Sequence, residues 1–174
     1  MMQQRDKLTL AMLSAFAVAI TGFERFIPTP VPWLRFGLAN IIILITLILY
    51  GFKAAFTVSL IRVIGGSIIT GTFLGPAFVL SFSGSVLSVL SMGALYKVMP
   101  GVFSPIGLSL IGALFHNLGQ IISAYFLFIQ NLRAMLIITP IILFLGTLTG
   151  AANGIVTAVV LERLKKSQNN VHNT

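Results

Sequence analysis

Long apolar stretches, separated by short polar segments, are the feature that most restricts what this chain can fold into. Charged residues lie almost only between the stretches, and each stretch approaches the roughly 20 apolar residues that a helix needs to cross a membrane. We therefore predict an all-α integral membrane protein, a bundle of six transmembrane helices in one domain over residues 1–174. The predicted spans are about residues 8–23, 36–50, 54–70, 77–96, 105–129 and 136–161, and a disordered polar tail is expected at about 167–174.

The composition excludes several classes of soluble protein. Only 8% of the residues are charged, whereas a soluble globular domain carries roughly 25%. The net charge of +8 comes from single cationic residues at the ends of apolar stretches, not from a basic run or face, so nucleic-acid binding is not expected. The absence of cysteine excludes disulfides and thiolate metal sites.

The distribution of lysine and arginine predicts the orientation in the membrane. With the N-terminus in the cytoplasm, seven cationic residues lie inside and three outside, which follows the positive-inside rule. We therefore expect both termini in the cytoplasm and a multi-pass location in the inner (cytoplasmic) membrane. The first apolar stretch reaches Glu24 without a convincing cleavage site, so it is interpreted as a retained helix and not as a signal peptide. The inner residues are Arg5, Lys7, Lys53, Lys97, Arg163, Lys165 and Lys166; the outer ones are Arg25, Arg35 and Arg133.

Two predicted helices carry a small residue at every fourth position. Small residues at this spacing allow two helix backbones to approach closely within a membrane. The face of the first helix either packs inside the bundle or binds another protein. The face of the sixth helix is expected to pack internally, because Asn153 and Thr157 lie close by and need protein partners. The first face consists of Ala11, Ala15 and Ala19, and the sixth of Gly146, Gly150 and Gly154.

Polar residues within the spans are costly in a membrane and therefore informative. Arg62 lies near the middle of the third span, and His116, Asn117 and Gln120 lie within five residues of the fifth. These side chains form either an interhelical hydrogen-bond network or a ligand site lined by donors and acceptors.

The outer half of the predicted bundle is rich in arginine. Glu24 is its single carboxylate, so a ligand there is expected to be anionic, because arginine binds carboxylate and phosphate in a bidentate manner. For Arg25 and Arg133 the alternative is that they reach lipid headgroups. Trp33, beside Arg35, is either an interfacial anchor or a lid that stacks on a ligand ring.

Several kinds of chemistry lack the residues that they require. Magnesium-dependent chemistry on diphosphates needs clustered carboxylates, and the three acidic residues, Asp6, Glu24 and Glu162, are far apart along the chain. There is no phosphate-binding glycine loop of the ATPase type, and only two histidines are present. We therefore expect no catalytic residues, no metal and no cofactor.

Four stretches of the sequence resemble a known family of membrane proteins. They are residues 30–40 (PVPWLRFGLAN), 65–67 (GGS), 71–76 (GTFLGP) and 116–120 (HNLGQ). They are similar to the Gx transporter family, whose members are often labelled heptaprenyl diphosphate synthase component I. The six spans and the alanine repeat also resemble the substrate-binding (S) components of energy-coupling factor (ECF) transporters. This resemblance implies a non-catalytic subunit that captures a small molecule, works with a transmembrane T subunit and two ATPase subunits, and docks through Ala11, Ala15 and Ala19.

We therefore interpret the chain as the S component of an importer for a small, anionic, vitamin-like or isoprenoid-like molecule, such as a quinone precursor. The alternatives are an accessory subunit of a quinone- or flavin-linked redox complex, a membrane enzyme acting on prenyl diphosphates, and a proton-coupled carrier that works alone. Expected partners are the substrate, membrane lipid and the coupling subunits. The predicted substrate-binding residues are Glu24, Trp33, Arg35, Asn40, Arg62, His116, Asn117, Gln120 and Asn153.

Overall fold

The computed structural model describes residues 4–26 and 37–172, and this part of the chain is almost entirely helical. Trp33 and Arg35, predicted to bind substrate, lie outside the described residues. The helices are α1 (Gln4–Phe23), followed by a 3₁₀ turn (Glu24–Phe26), α2 (Ala39–Tyr50), α3 (Phe52–Ile69), α4 (Pro76–Val98), α5 (Pro105–Ala124) with a π-helical turn (Tyr125–Ile129), and α6 (Leu132–His172).

Glycine and proline lie at several of the boundaries between helices. Gly71 adopts a positive φ of 66° after α3, and Pro76 begins α4, where its missing N–H costs no helical hydrogen bond. Helix α5 begins in the same way at Pro105, and the Ser104 side chain caps it by accepting the Gly107 N–H at 3.2 Å.

Five of the helices are long and apolar enough to cross a membrane, which indicates a multi-pass membrane protein. They are α1, α3, α4, α6 and the combined α5 and π-helical turn. Helix α2 has 12 described residues and is about 18 Å long, which is shorter than the roughly 30 Å hydrocarbon core. It is the most enclosed helix, and Ile43, Leu44 and Leu47 form the centre of the apolar core.

Large apolar side chains also cover much of the outside of the bundle. Phe16 on α1, Ile68 on α3 and Phe144 on α6 are each more than half exposed. An exposed apolar surface of this extent suits hydrocarbon and not water. Within the bundle, α5 lies between α4 and α6, and α3 lies between α1 and α4.

Helix α6 continues beyond the predicted end of the last span. It reaches His172 and thus includes most of the segment that was expected to be a disordered tail. No glycine or proline follows Gly154 to interrupt the helix. An exposed ion pair between Glu162 and Lys166, with 2.8 Å between Oε1 and Nζ, joins successive turns of this extension.

Candidate functional site

A small polar cavity lies at the end of the bundle where α1 finishes and α2 begins. We call it the Arg62 cavity. Its volume is about 20 Å³, which is room for about one water molecule. Side chains from four helices and the 3₁₀ turn line it: Thr21, Glu24, Arg62, Ser67, Ser81 and His116. The structure therefore brings together Glu24, Arg62 and His116, which were predicted from the sequence to bind substrate.

Arg62 faces the interior of the protein and not the lipid. Its side chain is only 5% exposed, and its Nη2 donates a hydrogen bond to the Ser85 hydroxyl on α4. A guanidinium group is costly to bury in a membrane protein, so its placement beside a cavity marks a candidate site. Ser85 and Ser88 lie one turn apart on α4, and both are buried.

Glu24 and Asn153 both hold the point at which the chain enters α2. The Glu24 carboxylate accepts the N–H of Leu38, and the Asn153 side chain donates to the Gly37 carbonyl at 3.0 Å. Gly37 has a positive φ of 68°, and a Cβ there would lie 3.0 Å from Nδ2 of Asn40. Glycine is therefore required at position 37. Glu24 and Asn153, both predicted to bind substrate, thus position Gly37 and Leu38, which follow Trp33 and Arg35 in the chain.

The polar cluster of α5 divides between two neighbouring helices. His116 and Gln120 lie one turn apart, with 3.1 Å between their Nε2 atoms, and both lie against Gly84 of α4. Asn117 instead faces α6, where its Nδ2 donates to the Ile142 carbonyl at 3.4 Å. Of these three residues, only His116 lines the Arg62 cavity.

A second, smaller cavity lies deeper in the bundle. We call it the Asn40 cavity. It measures about 10 Å³ and is lined by Asn40, Ser88, Ser109 and Asn153, among others. The Ser88 hydroxyl is buried and has no hydrogen-bond partner within the part of the chain that the structure describes. A single water molecule suits this space, because it would satisfy that hydroxyl.

The predicted site residues thus fall into separate groups. Glu24, Arg62 and His116 line the Arg62 cavity, whereas Asn40 and Asn153 line the Asn40 cavity. Thr21, Ser67 and Ser81 were not predicted, although Thr21 lies one helical turn before Glu24. Serine and threonine are so common in membrane helices that only their place beside Arg62 distinguishes them.

The three alanines of α1 face outward. Ala11, Ala15 and Ala19 are exposed, and they line an open groove of about 710 Å³ between α1 and α3, which we call the alanine groove. Beside the groove, α1 packs on α3 through Val18 and Thr21, which contact Gly65 and Gly66. Internal packing, one of the two interpretations of the alanine repeat, is therefore carried out by other residues of the same helix.

Comparison with known proteins gives one match. The family model of heptaprenyl diphosphate synthase component I matches residues 13–160, which is most of the chain. No curated protein and no solved structure matches it. The match confirms the family resemblance predicted from the sequence: the chain belongs to the heptaprenyl diphosphate synthase component I family.

Proposed function

We propose that this protein is the substrate-capture component of an ECF-type importer for a small anionic molecule, vitamin-like or related to isoprenoid and quinone precursors. The observation that carries the proposal is the buried Arg62 beside the Arg62 cavity, together with Glu24 and His116. An ionised group within a membrane bundle is costly and is retained where it binds or moves something. Arg62 would bind the anionic group of the substrate, and His116 would contact its polar edge.

Binding a vitamin-sized molecule would require the Arg62 cavity to widen. Its present volume is about 20 Å³, whereas small-molecule sites measure roughly 300–1,000 Å³. Glu24 and Asn153 hold Gly37 and Leu38 beside this cavity, so release of those hydrogen bonds would free the entrance to α2. Trp33 and Arg35, which precede Gly37 in the chain, are proposed to cover the substrate from outside.

The alanine groove is the proposed docking surface for the transmembrane T subunit. It is exposed, it runs along a helix with small residues at every fourth position, and its lining is apolar apart from Lys7, Ser14 and Thr57. Close approach of a partner helix would replace the interactions that lipid makes there. Two ATPase subunits would bind the T subunit and supply the energy.

The proposed role is non-catalytic despite the synthase in the family's description. Synthesis of a prenyl diphosphate needs magnesium held by several carboxylates. The chain has three acidic residues, of which Glu24 lines the Arg62 cavity and Glu162 lies near the opposite end of the bundle. Such a separation supports binding of a substrate over conversion of one.

Native mass spectrometry of the protein, purified gently from its own membranes, tests the proposal. We expect the wild-type protein to retain an anionic small molecule and to carry a T subunit with two ATPases. Arg62→Gln should lose the small molecule and keep the subunits, whereas Ala15→Trp should lose the subunits and keep the small molecule. Arg133→Gln, which removes an exposed arginine, is the matched control.

Two results would overturn the proposal. One is retention of the same small molecule by the Arg62→Gln variant. The other is co-purification of flavoproteins in place of ATPases, which would favour the redox accessory subunit.

A further inference from the structure

A second large groove lies at the end of the bundle opposite the Arg62 cavity. We call it the lysine-end groove. Its walls are the start of α1 and the last part of α6, its floor is the end of α2, and the turn between α4 and α5 closes it. Its volume is about 760 Å³. Neither the proposed substrate site nor the alanine groove uses it.

The lining of the groove changes character from the inside outward. Its interior is apolar, with Leu13, Ile45, Ile48, Leu108 and Leu161 among the lining residues. Polar groups gather where the helices end, and they include Thr9, Tyr50, Tyr96, Glu162 and Lys165. Such a surface matches a molecule with an apolar body and a polar head, because tyrosine and lysine favour the boundary between hydrocarbon and water.

The size of the groove limits what can fill it. A helix about 10 Å wide occupies roughly 400 Å³ per turn, so fewer than two turns would fill the space. The turn between α4 and α5 closes this groove, so a helix could not continue along it as it could along the alanine groove, which is open along α1. By contrast, roughly 300–1,000 Å³ is the usual volume of a site for a single small molecule. The groove therefore suits a chain-like amphiphile better than a helix of a partner protein.

The charged residues at this end of the bundle determine which polar headgroup the bound molecule would carry. Lys7, Lys53, Lys97, Arg163, Lys165 and Lys166 lie here, against Asp6 and Glu162. Glu162 already has Lys166 as a counter-ion at 2.8 Å, and Lys165 presents its positive charge at the mouth of the groove. The excess of cations favours an anionic head, and the positive-inside rule assigns this end to the leaflet that is rich in anionic lipid.

We infer that the lysine-end groove binds an acyl chain of one anionic phospholipid, with the phosphate of its headgroup beside Lys165. Basic pockets between membrane helices on the cytoplasmic side bind anionic headgroups in this way. The bound lipid would fill the space between α1 and α6 and hold the two terminal helices together at this end. The inference does not depend on the importer proposal, because it involves neither the Arg62 cavity nor the alanine groove.

Lipid retention by the purified full-length protein tests the inference. The protein is placed in nanodiscs of equal phosphatidylglycerol and phosphatidylcholine, and the lipid that remains bound is measured by native mass spectrometry. We expect one phosphatidylglycerol per protein. Leu13→Trp places a larger side chain in the groove and should abolish phosphatidylglycerol binding. Phe16→Trp, on the exposed side of the same helix, should leave that binding unchanged.

A second pair of variants tests the headgroup contact. Lys165→Gln should weaken retention of phosphatidylglycerol about fivefold, since a cation near an anionic membrane surface contributes about 1 kcal/mol. Lys97→Gln removes a charge at the same end of the bundle but outside the groove lining, and it should leave retention nearly unchanged. Thermal unfolding of each variant shows that the fold is intact.

Three outcomes would overturn the inference. Equal retention of phosphatidylcholine would show that the head is not selected. An equal loss of bound phosphatidylglycerol in the Leu13→Trp and Phe16→Trp variants would show that the lipid binds elsewhere. Displacement of phosphatidylglycerol by an equal concentration of a prenyl diphosphate would assign the groove to an isoprenoid instead.

Discussion

Helices α1 and α6 carry the same small-residue spacing and use it in opposite ways. On α6, a Cβ added to Gly154 would lie 2.6 Å from the Ile106 Cα, and one added to Gly150 would lie 2.7 Å from the Ala113 Cβ. The face therefore packs inside the bundle, as the sequence predicted, and the structure shows that α5 is the helix that occupies it. On α1, Ala15 and the other two alanines are exposed along the alanine groove.

The difference shows that the spacing identifies a face suited to close approach but does not identify what approaches it. The residues beside each face are more informative. Near the α6 face, Asn153 and Thr157 are buried, and the Asn153 side chain donates to Gly37 of another segment. Among the described residues, the alanine face of α1 has no buried amide beside it, and the nearby Ser14 hydroxyl donates to the Leu10 carbonyl of its own helix. A buried amide that is bonded to another segment, that of Asn153, thus accompanies the internal face.

The largest expected effect comes from filling the α6 face. Gly154→Leu would force α6 away from the backbone of α5 at Ile106, and overpacking of this kind costs about 1–3 kcal/mol. We expect a lower midpoint of thermal unfolding in detergent and a reduced yield of folded protein. An unchanged midpoint would contradict the close contact between α5 and α6.

The next effect concerns the alanine groove in the assembled complex. Ala15→Leu should reduce the amount of T subunit and ATPases recovered with the protein by about tenfold, which corresponds to about 1.4 kcal/mol. The reason is that the larger side chain would separate the two helix backbones. Quantitative mass spectrometry of the purified complex measures this, and Phe16→Leu, on the exposed side of α1, serves as the control. Full recovery of the subunits with Ala15→Leu would remove this groove from the proposed interface.

A smaller effect is expected from a hydrogen bond across the α5–α6 contact. The Ser109 hydroxyl donates to the Gly150 carbonyl at 2.7 Å, and such bonds within membrane proteins contribute about 0.6 kcal/mol on average. Ser109→Ala should therefore lower stability slightly in a reversible denaturation assay. Ser14→Ala is the matched change on α1, and it should have less effect because the Ser14 hydroxyl donates to the Leu10 carbonyl of its own helix. If Ser14→Ala lowers stability more than Ser109→Ala does, the comparison of the two helices is wrong.

The smallest expected effect is that of Ala15→Leu on the protein without its partners. Substitutions at exposed positions usually change stability by no more than about 0.5 kcal/mol. The midpoint of thermal unfolding of this variant should therefore match that of the wild-type protein. A clear loss of stability would show that the alanine face already packs within the bundle, and the contrast between α1 and α6 would disappear.

Much of the candidate site was predictable because the free-energy cost of placing a polar or charged side chain within a membrane depends on that residue alone. Arg62 and His116 are conspicuous in apolar spans, and Glu24 is the single carboxylate at its end of the bundle. All three line one cavity. Asn117 was assigned to the same site, but it faces α6, because adjacent residues of a helix point about 100° apart and the packing decides which helix stands in each direction.

The sequence by itself determined the number of helices and their approximate positions, except for the end of α6, since the length of an apolar stretch and the place of each glycine and proline act locally. It also determined the family, which the match over residues 13–160 confirms. Only the tertiary structure decided that Asn40 and Asn153 line a separate cavity, that Glu24 holds Leu38, and that the glycine face is covered while the alanine face is open. These features depend on which helices become neighbours, and the choice of neighbours depends on how the surfaces of all the helices pack against one another.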